Sequence, residues 1–244
     1  MMNNIFYITF IGFFVGVIGT GVGGILAIGL GKPSNRLLSF ILGFSAGIML
    51  AIVCFDLLPE AFQRGNLYIS SIGIAMGVIM IIIFDEIIHK HKGNKYHHKK
   101  SFVKMGALIG LGVALHNFPE GLAIGSGFMA TKELGMGIAI VIALHNIPEG
   151  ISMAAPMRVG GMSKFKAVLY TWLVGLPMGI GALIGSVLGE ISEVFIAFCL
   201  AFSGGTMLYI TCGELIPNSK KIHIGRTSTI GLIFGFLIGL LITK

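Results

Sequence analysis

The sequence predicts an all-α integral membrane protein, about eight transmembrane helices in a 3+2+3 inverted-repeat bundle. Three observations predict it: an apolar composition, the spacing of the apolar runs, and internal repeats. Of 244 residues, 55% are hydrophobic and only 11% are charged, and the mean hydropathy is +0.94. A soluble domain carries about 25% charged residues. Most of this surface therefore faces something other than water.

Eight apolar segments follow in order: 5–30, 36–62, 68–89, 102–130, 133–155, 164–188, 192–216 and 226–243. Several exceed the roughly 20 residues a helix needs to cross the hydrocarbon core. The first run, Ile5 to Leu30, is too long for a leader's apolar region and has no basic stretch before it, so it reads as a span. Gly31-Lys32-Pro33-Ser34-Asn35-Arg36 separates it from the second. Only Thr131-Lys132-Glu133 joins the fourth and fifth, which predicts an antiparallel hairpin. The whole chain, 1–244, reads as one transporter-like domain: repeat units at about 5–89 and 164–243, a central hairpin at about 102–155, and a His/Lys-rich loop at about 89–101.

Lys and Arg set the orientation. With the N-terminus outside, the inside loops hold Lys32, Arg36, Lys90, Lys92, Lys95, Lys99, Lys100, Lys104, Arg158, Lys164, Lys166, Lys220, Lys221 and Arg226, which is 14 of 17. Only Arg64, Lys132 and Lys244 lie outside. Basic residues concentrate on the cytoplasmic side of short loops, so both termini are expected outside a cell membrane. The net charge of +7 is thus a topology signal and gives no reason to expect a nucleic-acid partner. Cys54, Cys199 and Cys212 all lie in apolar segments and read as small buried hydrophobes.

The longer repeat pairs 43–61, GFSAGIMLAIVCFDLLPEA, with 201–219, AFSGGTMLYITCGELIPNS, at an offset of 158. Nine of nineteen positions are identical, including Ser45/Ser203, Cys54/Cys212 and Pro59/Pro217, and Asp56 falls opposite Glu214. Ile72, Gly73 and Gly77 match Ile230, Gly231 and Gly235 at the same offset. Segments 2–3 therefore correspond to segments 7–8, and Gly-rich segments 1 and 6 complete two three-helix units. Four segments lie between segments 2 and 7, so the two run oppositely, the inverted arrangement typical of secondary transporters.

The hairpin carries the second repeat. Leu115-His116-Asn117-Phe118-Pro119-Glu120-Gly121 recurs as Leu144-His145-Asn146-Ile147-Pro148-Glu149-Gly150, identical at six of seven positions. Each copy lies near the centre of its segment, the costliest depth for ionisable groups, which there read by default as functional. His and Glu four residues apart share one helix face. Each helix can thus offer an imidazole and a carboxylate to one ion. Pro119 and Pro148 remove a backbone donor and crowd the carbonyls of Leu115 and Leu144, which predicts a kink or break there. Gly121 and Gly150 let a partner backbone approach. The expected donors are His116, Glu120, His145 and Glu149, with Asn117 and Asn146 on an adjacent face. This nitrogen/oxygen set suits Zn²⁺, and also Fe²⁺, Mn²⁺, Co²⁺ or Cd²⁺, taken as passing cargo with no resident cofactor. Structural polar residues joining two helices are the blander reading, and duplication of the whole set weighs against it.

Weaker signals remain. Asp56, Glu60 and Glu214 read either as marks of an ion path or as interfacial charge. The stretch His89 to Lys100 holds four histidines among lysines, either a metal acceptor or a basic anchor. An intramembrane metalloprotease also keeps His and Glu at depth, but neither motif is HExxH. A metal-efflux protein is a further alternative.

HNFPEG and HNIPEG on consecutive helices, a His-bearing loop before them and the 3+2+3 plan resemble the ZIP (Zrt/Irt-like) metal transporters of bacterial type, over essentially the whole chain. The resemblance implies uptake toward the cytoplasm, divalent-metal substrates led by zinc, a homodimer, and metal ligands at His116, Asn117, Glu120, His145, Asn146 and Glu149. Many relatives place a Glu in the sixth segment. Here residues 164–188 hold no such carboxylate, and Leu176 before Pro177 takes its position.

Overall fold

In the computed structural model, described over residues 2–31, 33–90, 98–188 and 192–243, the described residues contain helices and no strand. Eight helices are defined: α1 Met2–Gly29, α2 Asn35–Arg64, α3 Leu67–Lys90, α4 His98–Ala130, α5 Lys132–Val159, α6 Lys164–Leu188, α7 Glu193–Ile222 and α8 Thr227–Ile242. Six are long and apolar enough to cross a membrane, while α3 and α8 contribute shorter apolar stretches, Leu67–Ile83 and Thr227–Ile242.

Local chemistry sets the ends. Gly31 after α1 and Gly161 after α5 take φ of +69° and +94°, a region that costs an L side chain but not glycine. Ser34 caps α2 by accepting from the Leu37 amide at 3.2 Å, and Ser192 caps α7 by accepting from Phe195 at 3.2 Å. These two caps stand at the same 158-residue offset as the longer repeat.

Backbone irregularity falls elsewhere than the motif prolines suggest. Helices α4 and α5 run continuously through Pro119 and Pro148, and α6 through Pro177, so of the expected kink or break at Leu115 and Leu144 the break is absent. Instead α2 and α7 widen into π turns at Val53–Leu57 and Ile210–Leu215. There the Leu58 amide reaches back five residues to Val53 O, and Ile216 to Thr211 O. Pro59 and Pro217 follow each turn. A proline ring crowds the carbonyl four residues back, and the wider turn relieves that crowding while re-aiming Asp56 and Glu214.

The thiol expectation fails at two positions. Cys199 is buried, but Cys54 and Cys212, both inside π turns, are exposed. A small thiol costs little on a surface that meets hydrocarbon, so apolar surroundings in sequence did not imply burial by protein.

Helix α1 packs along α6 and α5, and α4 packs along α5, α6 and α7. Helix α2 packs along α8 and also meets α5, while α3 packs along α7. The main core gathers Leu42, Ile48, Ile52, Val53, Met153 and Ile210. At one end Arg64 holds Glu60 at 2.6 Å and Glu193 at 2.8 Å, joining the end of α2 to the start of α7. At the other, Ser39 Oγ donates to Ser219 O at 2.7 Å, and the Ser219 and Ser228 hydroxyls pair at 2.6 Å. The outer faces are apolar: Phe6, Phe10 and Phe14 on α1, and Phe165, Leu169, Leu173, Leu176 and Ile180 on α6.

Candidate metal centre

The two motif helices cross at the middle of the bundle, and all six expected ligands are buried there. His116, Glu120, His145 and Glu149 are 1% exposed, and Asn117 and Asn146 are fully covered. The glycine of each motif fixes this depth. A Cβ on Gly121 would overlap the Met178 carbonyl of α6, and one on Gly150 would overlap the Thr20 carbonyl of α1. The close approach expected of these glycines is therefore to α6 and α1, which flank the hairpin.

The four ionisable groups meet across the helices. His116 Nε2 of α4 lies 3.1 Å from Glu149 Oε1 of α5, and His145 Nε2 of α5 lies 3.4 Å from Glu120 Oε1 of α4. Neither contact is aligned as a hydrogen bond, so both imidazoles and both carboxylates are without a hydrogen-bond partner among the described residues. Among those residues no three His, Cys, Asp or Glu side chains are already gathered as a metal cage; the donors stand as two crossed pairs.

Each asparagine is anchored by one end only. Asn117 Nδ2 donates to Val174 O of α6 at 3.0 Å, and Asn146 Nδ2 reaches Val15 O of α1 at 3.5 Å. Their Oδ1 atoms remain buried without a partner among the described residues. Anchoring the amide nitrogen on a carbonyl leaves only the oxygen to face a ligand. Unpaired buried polar atoms cost free energy, more so where water is scarce. A group that draws lone pairs together, a cation or a proton, offsets that cost, and the donor mix fits a divalent transition metal.

One side chain of α6 reaches this centre. Met178 of α6 is fully buried with its sulfur 3.9 Å from Asn146 Nδ2, whereas Leu176 is 39% exposed on the outward stripe of α6. Of the weaker candidates, Asp56 interacts electrostatically with His145 and Glu120 without pairing with either, while Glu60 and Glu214 are paired elsewhere. Glu60 is held by Arg64, Glu214 accepts from Asn218 Nδ2 at 2.8 Å, and Asp56 is half-buried in its π turn. Most of the His/Lys-rich stretch lies outside the described residues.

A family model described as ZIP zinc transporter matches residues 97–243. Curated relatives named zinc transporter ZupT come from Escherichia coli O7:K1 (strain IAI39 / ExPEC), O1:K1 / APEC and K12 / DH10B. Each is 37% identical over 237 residues, covering 93% of this chain and 88% of the relative.

Proposed function

Because the chain belongs to the ZIP zinc transporter family, we propose that it carries zinc and related divalent transition-metal ions through the crossed His/Glu pairs of α4 and α5. It is a transporter and not an enzyme, so the metalloprotease alternative falls away. The observation that supports this site is the buried donor set: two imidazoles, two carboxylates and two amide oxygens, all without hydrogen-bond partners among the described residues. An arriving M²⁺ replaces each His–Glu contact with two metal bonds. His116 and His145 supply neutral nitrogen, Glu120 and Glu149 supply the two charges that match one M²⁺, and Asn117 and Asn146 supply neutral oxygen.

The architecture follows the same reading. We take α1–α3 and α6–α8 as inverted repeats around the α4–α5 hairpin. The packing partners support this, because exchanging α1 with α6, α2 with α7, α3 with α8 and α4 with α5 maps the principal pairs onto one another. The Lys/Arg bias supports both termini outside the cell membrane and metal uptake toward the cytoplasm. A homodimer is the assembled form that the family resemblance favours.

The test is zinc flux into proteoliposomes holding the purified protein, with competing Fe²⁺, Mn²⁺, Co²⁺ and Cd²⁺ and imposed pH gradients. Saturable zinc entry that His145→Ala and Glu149→Ala abolish supports the site. Entry unaffected by either variant places the path elsewhere.

A further inference from the structure

The two halves of the bundle differ at one repeated position. Ser45 of α2 and Ser203 of α7 are identical residues of the repeat, and both are buried. Ser45 Oγ donates to the carbonyl of Pro148 on α5 at 3.0 Å. Exchange of α2 with α7 and α5 with α4 makes Pro119 the counterpart acceptor. Yet Ser203 Oγ has no hydrogen-bond partner among the described residues. Beside Pro119, the contact between α4 and α7 carries a shallow crevice lined also by Leu122, Ala123, Ile196, Cys199 and Leu200. One latch is made and its twin is not.

We propose that Ser45 and Ser203 are alternating latches for the movement of the α4–α5 hairpin between α2 and α7. In this structure the α2–α5 hydrogen bond is made, while α4 and α7 pack together without its counterpart. In the opposite state Ser203 Oγ donates to Pro119 O, the crevice closes over Cys199, and Ser45 lets go of Pro148. Both acceptors belong to the proline one residue before the motif glutamate, so each latch grips the hairpin at the level of its metal ligands. A buried hydroxyl left unpaired costs free energy. Each state leaves one serine unsatisfied, so neither state is favoured by the latches over the other. This is the balance an alternating-access carrier needs. The proposal deepens the transport reading and rests on it.

The test uses Cys199 as a reporter in the full-length protein with Cys54→Ser and Cys212→Ser, reconstituted in liposomes without metal. The rate of modification by methyl methanethiosulfonate is followed by mass spectrometry. Ser45→Ala weakens the present state and is expected to slow Cys199 modification. Ser203→Ala weakens the opposite state and is expected to speed it. Each shift is about fivefold in the ratio of states, the worth of one ordinary hydrogen bond. The double variant loses one bond in each state and should return toward the parent rate. Unchanged rates, shifts of the same sign, or a Cys199 unreactive in every variant each overturn the proposal, and unchanged elution on size exclusion shows folding. This readout needs no metal. Opposed shifts in a protein that fails to move zinc therefore leave the latch standing and sink the transport reading.

Discussion

His116 of α4 faces Glu149 of α5 across 3.1 Å, while Glu120, on its own helix, faces His145 of α5. The spacing of four residues put His and Glu on one face of each helix, but the contacts run between helices. Mutational coupling should follow the contacts. In the metal-free protein, thermal unfolding of His116→Ala, Glu149→Ala and the double variant should give a coupling of about 0.5–3 kcal/mol, the range for groups in direct contact. The His116→Ala/Glu120→Ala cycle should give less. Equal coupling in the two cycles would mean that the crossed pairing is wrong.

Flux should respond to all four residues alike. Each of His116→Ala, Glu120→Ala, His145→Ala and Glu149→Ala removes one donor and leaves the others to hold the ion alone. Zinc uptake is expected to fall at least tenfold in each, with the protein still folded. Near parental transport in purified, folded Glu149→Ala would sink the site.

The sequence foretold more of this molecule than its chemistry alone required. Segment positions were legible because hydrocarbon admits few polar residues, so each span is written as an apolar run. The candidate ligands were legible because His and Glu at mid-span are costly and appear twice. The π turns were not. Seven prolines look alike in the sequence, and whether a helix runs on through Pro119 or widens before Pro59 depends on what packs against it. The anchoring of Asn117 on Val174 O and Asn146 on Val15 O was equally hidden, since backbone acceptors have no side-chain signature. Burial of Cys54 was misread for a related reason: an apolar run says that a helix meets apolar surroundings, not whether they are protein or lipid.

Glycine substitutions should separate tight crossings from open ones. A Cβ at Gly121 or Gly150 meets a backbone carbonyl on α6 or α1, and backbone cannot swing aside as a side chain can. Gly121→Ala and Gly150→Ala should each destabilise by about 1–3 kcal/mol, the usual cost of overpacking, and lower zinc flux. At Gly137 of α5 an added Cβ would meet nothing within 4 Å, so Gly137→Ala should leave flux unchanged and stability equal or slightly higher. Thermal unfolding in detergent, set beside uptake rates, checks all three.

Acid should weaken binding. Metal ligation needs neutral imidazoles and ionised carboxylates, so zinc and protons compete for the same atoms and binding releases protons. Zinc affinity is expected to fall as pH is lowered from about 8 to 5, the range in which histidine ordinarily titrates. Calorimetry in buffers of different ionisation enthalpy reports both the affinity and the protons released. An affinity flat across that range rules the competition out.

One zinc ion, not a strongly bound pair, should occupy the crossed centre. A second divalent ion a few ångströms away adds repulsion that only further anionic ligands offset. Glu120 and Glu149 supply two negative charges, enough for a single M²⁺. Helix α6, the neighbour that packs along α4, adds none: Leu176 lies on its outward stripe and Met178 turns a soft thioether toward Asn146. The amide oxygens of Asn117 and Asn146 are neutral. A second ion sharing the two carboxylates should therefore bind weakly and wash out first. The measurement is anomalous scattering from zinc-soaked crystals, or calorimetry on protein whose His89, His91, His97 and His98 are replaced by alanine. A single strong site is the expected result, and Met178→Glu, which adds a third carboxylate beside Asn146, should strengthen a second. Two comparably occupied ions in the parental protein would show that the asparagine or backbone oxygens do the work of the missing carboxylate.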